Sequence, residues 1–340
     1  MSFQVIIKPS DRVFMVEDGD TVLDAAIDAG ISLPYGCRNG TCGACKGQIL
    51  AGDVNDGDYF ESALSADEKK TGKALFCCAQ PLSDLVIECR EVAGDGIPPR
   101  IMPVRVEKLE KLSHDVMRMT LKLPVNERMQ FMAGQYVEFL LKDGRRRAFS
   151  LANAPYHDRF LELHMRLVPG GQFTHYVFSE MAEKTILQLE GPFGTFYLRE
   201  DSQRPVIFVA GGTGFAPVKG IVEQAVHHGV QRPMILYWGA RTRQDLYMDE
   251  LPRQWQEQYP FFRYVPVLSD PTPDDAWQGR VGLVHEAVLQ DHPDMSAYQV
   301  YCCGAPQMVA AAHRDFQQHG LPEDEFFSDA FTFANPVTKA

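Results

Sequence analysis

No stretch of the 340-residue chain approaches the ~18 apolar residues that cross a bilayer, so a membrane-spanning protein is not expected. The N-terminus, MSFQVIIKPSDRVF, lacks a basic start and a long apolar core, so it does not read as a secretory signal. Basic charge is scarce: 33 Lys+Arg against 45 Asp+Glu leave a net charge of -12. Gripping a nucleic-acid backbone needs a basic face, so neither nucleic acid nor membrane is an expected partner. Internal repeats and low-complexity tracts are missing, which sets aside solenoids and disordered arrays. The ten histidines show no metal-ligand spacing. The expected location is cytoplasmic. There, clustered cysteines point to metal or redox chemistry rather than to disulfides.

What is present is organised in three blocks. A length of 340 allows two or three domains. The acid excess is concentrated early, with 8 Lys+Arg against 15 Asp+Glu over residues 1–93. Residues 1–92 open with an alternating β-hairpin around a PSDR turn. A helical pattern, TVLDAAIDAG, follows and stops at Gly30. Residues 93–102 are Gly/Pro-rich and read as a linker. Residues 103–202 carry many short β patterns, which suggest an antiparallel β-barrel. Residues 203–340 alternate apolar strands with helices, which predicts an α/β doubly wound parallel sheet.

The first block holds Cys37, Cys42 and Cys45 in a C-x4-C-x2-C loop, with Cys77 and Cys78 some thirty residues on. This is the plant-type [2Fe–2S] spacing. Such a loop wraps a small anionic core, so its side chains must stay clear and its amides must face sulfur. Asn39, Gly40, Thr41, Gly43 and Ala44 satisfy both needs. A zinc site would more often pair two short arms. At this level either Cys77 or Cys78 can be the fourth ligand.

Two further stretches suit a dinucleotide. In RRRAFSLANAP (145–155), strand alternation places Arg147 and Phe149 on one face, a cation for pyrophosphate and a flat ring for a flavin, with Ser150 at the reactive edge. GGQFTHYV (170–177) offers amides and the Thr174 hydroxyl to phosphate at a helix start, and GPFGTF (191–196) is a tight corner. VAGGTGFAPVKG (209–220) joins a buried strand to a helix through glycines, a pyrophosphate site that departs from the G-x-G-x-x-G fingerprint. YCCGAPQMV (301–309) repeats strand, glycine and helix start. Cys302 and Cys303 also read as small strand residues, one of them buried.

Residues 34–45 with ALFCCAQPLSDL resemble the plant-type ferredoxin family over about 1–92. Ferredoxins of this type place the last ligand after a short apolar lead and before a Ser-Asp turn. With Ala74–Phe76 leading and Ser83-Asp84 following, the register selects Cys77. RAFS, GGQFT, GGTGFAP and CCGAPQM, in that order, resemble the ferredoxin–NADP⁺ reductase superfamily over about 103–335. The whole order is similar to the flavin–iron–sulfur reductases of bacterial two-component systems.

That resemblance implies FAD on Arg147, Phe149, Ser150, His164, Arg166, Gly171, Gln172, Phe173 and Thr174. It implies a nicotinamide dinucleotide on Gly212, Thr213, Gly214, Pro217, Arg241, Cys303 and Gly304, with Phe331 covering the flavin face. The family aromatic at Phe149 is tyrosine, so a hydroxyl is lost here. The implied activity is NADH-dependent electron transfer, with NADPH possible, through FAD and a [2Fe-2S] cluster to a partner metalloprotein, an oxygenase component or a sugar dehydrase. Ser150 and Cys303 sit closest to the implied hydride step. The alternatives are a standalone reductase of free flavin, ferric iron or cobalamin, and a non-catalytic redox sensor.

Overall fold

The computed structural model describes residues 1–92 and 97–331, so the expected 93–102 linker and the chain end from 332 lie partly or wholly outside the described residues. Packing divides the chain into two units. The first gathers residues 1–98 with 193–196 and the tail from Ser328, and the second holds 99–192 and 197–327.

In the first unit, five strands form a sheet in the order Arg12–Glu17, Ser2–Lys8, Leu85–Glu88, Lys46–Ala51, Lys73–Leu75. Ser2–Lys8 pairs antiparallel with Arg12–Glu17 and parallel with Leu85–Glu88. Alternation puts Val5, Ile7, Phe14 and Val16 inside, as the sequence pattern predicts. Helix Val22–Asp28 begins where the Thr21 hydroxyl accepts the Asp24 N–H at 3.1 Å, a cap that contributes about 1 kcal/mol. It buries Val22, Leu23, Ala25 and Ala26, and Gly30 turns the chain away at φ 69°. A short helix, Ala66–Lys70, was not expected. Its capping box pairs Ser65 with Glu68, a signal readable as S-x-x-E.

The second unit contains two sheets. The antiparallel sheet runs Arg146–Ser150, Tyr136–Leu140, Ile186–Phe193, Arg100–Lys111, Val116–Lys122, Phe160–Arg166. Strand pairing with Leu189–Gly191 extends Arg100–Lys111 back into the Gly/Pro-rich stretch. The expected closed barrel is not formed by a continuous ladder. The outer strands meet only at the bridge Leu151–Leu163. The chain leaves strand geometry after Ser150, where Asn153 Nδ2 donates to the Ala154, His157 and Phe160 carbonyls and replaces ladder pairing. Leu161, Leu163 and Met165 face the core of this sheet, so Glu162, His164 and Arg166 face the other way.

The parallel sheet runs Arg280–Val281, Phe262–Leu268, Met234–Ala240, Val206–Gly211, Gln299–Gly304. Val206–Ala210 are fully buried, as the unbroken apolar run predicts. Strand order reverses between Val206–Gly211 and Gln299–Gly304, the place where open α/β sheets bind ligands. The final strand, Phe326–Ala330, lies beyond the helical and strand patterns read from sequence.

Candidate functional site

The cysteine loop is lined with amides. The Cys37 and Ala44 N–H groups point at Cys42 Sγ, at 3.4 and 3.5 Å. Those of Asn39 and Thr41 point at Cys37, Gly40 at Cys77, and Cys77 at Cys45. Gly40 and Gly43 take positive φ to allow this, and a Cβ on Gly40 would lie 2.8 Å from the Asp58 carbonyl. Contact with Cys42, then these amides, draws the Cys37 thiol down to about 6. Contact with Cys45 and Cys78, then Gly40, draws Cys77 to about 4. Their partners Cys42 and Cys45 are pushed up by the same thiol pairing and by burial.

The thiols thus form two pairs, Cys37 with Cys42 and Cys45 with Cys77. Among the described residues no three cysteine sulfurs fall within 4.8 Å of one another. A single tetrahedral ion ~2.3 Å from each sulfur would need closer packing, so the donors fit a two-iron core rather than one zinc. Cys78 differs from Cys77. Its Sγ donates to the Asp58 carbonyl at 3.3 Å and lies 3.6 Å from Cys77 Sγ.

Segment 193–196 packs in this same unit. Thr195 accepts from the Tyr35 N–H at 3.0 Å and returns its hydroxyl and its N–H to the Tyr35 carbonyl at 3.0 and 3.2 Å. Arg38, bonded to Asp24, lies 4.6 Å over the Phe193 ring.

On the flavin strand, three consecutive arginines have different surroundings. Arg145 pairs with Asp143 and donates to Gln172, and Arg146 pairs with Glu138 and Glu190. Among the described residues Arg147 bonds its neighbour's carbonyl and no carboxylate, which leaves its charge for an anion. Phe149 rests on Phe139 and Phe173, with ring centroids 5.8 and 5.9 Å away, and keeps part of its surface open. Ser150 is buried at the strand end. Helix Gln172–Ser179 starts at Gly171 with no side-chain cap, so its first amides are open.

Two expected residues are engaged within the fold. Phe173 is packed into the sheet core, so only its backbone can serve a ligand. The Thr174 hydroxyl already donates to the Gly171 carbonyl and accepts the Val168 N–H.

The glycine turn lies at the strand-order reversal. Helix Phe215–His227 follows the 3-10 turn Gly212–Gly214 without a side-chain cap. A Cβ on Gly214 would lie 2.1 Å from the Cys303 carbonyl oxygen, and one on Gly304 would lie 3.0 Å from the Gly211 Cα. Trp238 braces the turn by donating to the Gly212 carbonyl at 2.9 Å while stacking on Phe215 at 4.1 Å. A Cβ on Gly212 would meet the Arg166 guanidinium at 2.9 Å. Arg166 Nη2 is buried without a hydrogen-bond partner, and Nε lies 3.2 Å from Asp115. A guanidinium paired with Asp115 on one side and keeping a buried N–H without a hydrogen-bond acceptor, beside open helix amides, fits a pyrophosphate.

Three family patterns match in chain order: the 2Fe-2S iron-sulfur cluster binding domain over residues 5–82, the oxidoreductase FAD-binding domain over 103–197, and the oxidoreductase NAD-binding domain over 208–314. The CDP-6-deoxy-L-threo-D-glycero-4-hexulose-3-dehydrase reductase of Yersinia pestis is 39% identical, over 97% of this chain and 99% of its own. The chain belongs to the iron–sulfur flavoprotein reductases. The reductase component DmpP of phenol 2-monooxygenase, from Pseudomonas sp. strain CF600, is also 39% identical, over 97% of this chain and 95% of its own. The crystal structure of the Amycolatopsis cytochrome P450 reductase GcoB superposes with TM-score 0.79 at 36% identity, covering 98% of this chain and all of the other.

The reductase places its remaining expected residues unevenly. Thr213 and Pro217 are buried at the glycine turn. Cys303 is fully buried beside Ala210, and so is Cys302, where one of the pair was expected inside. Arg241 is exposed after strand Met234–Ala240, whereas Arg243 is tied to Asp275. Phe331 is half-buried and belongs to the first unit.

His164 was expected at a cofactor. Both its ring nitrogens are engaged, by Glu162 on its own strand at 2.9 Å and the Tyr247 hydroxyl at 3.0 Å, so it joins its strand to the turn that carries Tyr247. Lys219, Glu162 and Tyr247 were missed. Most of their partners lie far away in sequence; Lys219 with Glu223, four apart on one helix, and Glu162 with His164, two apart on one strand, carried a local signal.

Proposed function

We propose that this reductase takes electrons from NADH through FAD to a [2Fe-2S] cluster and delivers them to a separate metalloprotein, an oxygenase component or a sugar dehydrase. What carries the reading is the presence on one chain of two amide-facing thiol pairs and a glycine turn at the strand-order reversal. Its full-length relatives are named as reductases of a hexulose dehydrase and of a phenol monooxygenase. Bound FAD supplies the conversion between a two-electron donor and one-electron transfer.

The protein's own groups bind and orient. Arg147 and the open amides after Gly171 hold phosphate, Phe149 gives a ring face, and Ser150 stands at the reactive edge. The glycine turn and Arg166 hold the nicotinamide pyrophosphate, beside Cys303. Cys37, Cys42, Cys45 and Cys77 hold the cluster, and their amides stabilise its charge. The Asp275 carboxylate, which accepts the Arg243 N–H, disfavours an extra ribose phosphate there, which supports NADH over NADPH. A cytoplasmic setting suits eight free thiols.

The test uses the loaded protein with NADH and two acceptors, ferricyanide and cytochrome c. Cys77→Ser should abolish cytochrome c reduction and leave ferricyanide reduction within about twofold, because only the former needs the cluster. Equal loss of both, or of neither, contradicts the route. Strong turnover of free flavin in the Cys77 variant would favour a standalone flavin reductase. A higher kcat/KM for NADPH than for NADH overturns the cofactor assignment.

A further inference from the structure

Helix Phe215–His227 leaves the glycine turn and is fastened at its second turn to the segment that follows the flavin strand. The fastening centres on Lys219, whose side chain is 9% exposed. Its ammonium donates to the Ala152 carbonyl at 3.1 Å, and lies 3.3 Å from Glu162 Oε1 and 3.0 Å from Glu223 Oε1. Three donors thus meet three acceptors.

Next to it, Gly220 clears the backbone. A Cβ there would lie 3.0 Å from the Asn153 carbonyl oxygen and 3.4 Å from that of Leu151. Residues 151–153 begin directly after Ser150. The Ala152 N–H donates to the Glu162 carbonyl at 2.7 Å, and the Glu162 N–H donates to Asn153 Oδ1 at 2.9 Å. The segment is therefore held from both sides. Moving it moves the end of the flavin strand relative to the helix that starts at the glycine turn.

A buried ammonium is expensive to desolvate, and a buried ion pair is often no more stabilising than apolar side chains of the same volume. Packing alone does not call for a lysine here. What the charge adds is direction: it selects one placement of the helix, the one that brings Ala152, Glu162 and Glu223 together.

We propose that Lys219 is a positioning residue that sets the register between the nicotinamide-binding helix and the flavin strand, and through it the gap a hydride crosses. The role rests on the cofactor placement given above. It acts on orientation and leaves the phosphate-binding groups untouched.

The experiment is anaerobic stopped-flow reduction of the FAD-loaded protein by NADH, read at flavin wavelengths and in the long-wavelength charge-transfer band that a stacked nicotinamide and flavin produce. Lys219→Met should keep FAD content and NADH Kd within about twofold, weaken the band, and slow the limiting reduction rate roughly tenfold or more, as small misplacements do. Gly220→Ala perturbs the same contact by pushing on Asn153, and should weaken the band in the same way. It decides the matter if Lys219→Met does not fold. An unchanged band and rate in the folded variants overturn the role of Lys219 alone. If Arg147→Ala leaves FAD affinity unchanged, the cofactor placement falls, and this role with it.

Discussion

Cys77 and Cys78 are adjacent in sequence and differ in what surrounds them. Cys77 is buried, faces the Gly40 amide and pairs with Cys45, while Cys78 turns to the Asp58 carbonyl. Cys77→Ser should lose most of the cluster's visible absorbance and iron content, and Cys78→Ser should keep both. The reverse pattern refutes the ligand set. At the hydride step, Ser150→Ala should slow flavin reduction more than Cys303→Ala when FAD content is held equal, because Cys303 is fully buried and would act mainly on nicotinamide orientation. A larger loss in the Cys303 variant reverses that ranking. The cluster cysteines and the turn glycines were legible because their chemistry demands a residue type at a spacing. The partners of His164 and Thr174 were not legible, because a sequence does not say who else claims a polar atom. Tyr247 is 83 positions from His164, and Thr174 closes its own turn.

At the scale of elements, the glycine turn tolerates little change. Gly214→Ala would force the turn off the Cys303 carbonyl, and such overpacking costs typically 1–3 kcal/mol. A drop in melting temperature with weakened NADH binding is expected, and an unchanged Kd would show that the turn does not hold the dinucleotide.

Strand Phe160–Arg166 carries a pH-dependent link. Burial, helped by the nearby charges of Lys219 and Arg118, holds His164 below its ordinary 6.5 against the pull of Glu162, so its Nε2–H donates to Glu162 while Nδ1 accepts from Tyr247. Burial alone would raise Glu162, but His164 and Lys219 bring it to about 2. Both groups bind protons less readily folded than unfolded. The His164 contribution is present above pH 6.5 and is lost as pH falls through 6.5 toward the lower folded value, and that of Glu162 is lost from 4.5 toward 2. The melting temperature should therefore decline from pH 7 to 5, and His164→Gln should flatten that decline. Parallel curves contradict the assignment. Strands and helices of the parallel sheet were legible from apolar runs and glycine stops. The incomplete closure of the antiparallel sheet was not, since it goes with a turn after Leu151 in which Asn153 donates to three carbonyls, and no local pattern announces that turn.

For the molecule as a whole, the order of the three blocks was legible because each carries its own chemical signature, and the family patterns fall in the same order. The tail strand Phe326–Ala330 was not, because five residues after a short acidic 3-10 turn carry too little pattern to read as a strand. Among the described residues no helix is long and apolar enough to cross a membrane. The central claim is that electrons entering from nicotinamide leave through the cluster. Its most direct test mixes the FAD- and iron-loaded protein with one equivalent of NADH without oxygen, and follows flavin absorbance together with the cluster's low-temperature EPR signal. The account predicts flavin bleaching first, then an EPR signal from the reduced cluster, with that signal absent in Cys77→Ser. Flavin bleaching with a cluster that stays oxidised in the wild type would contradict it.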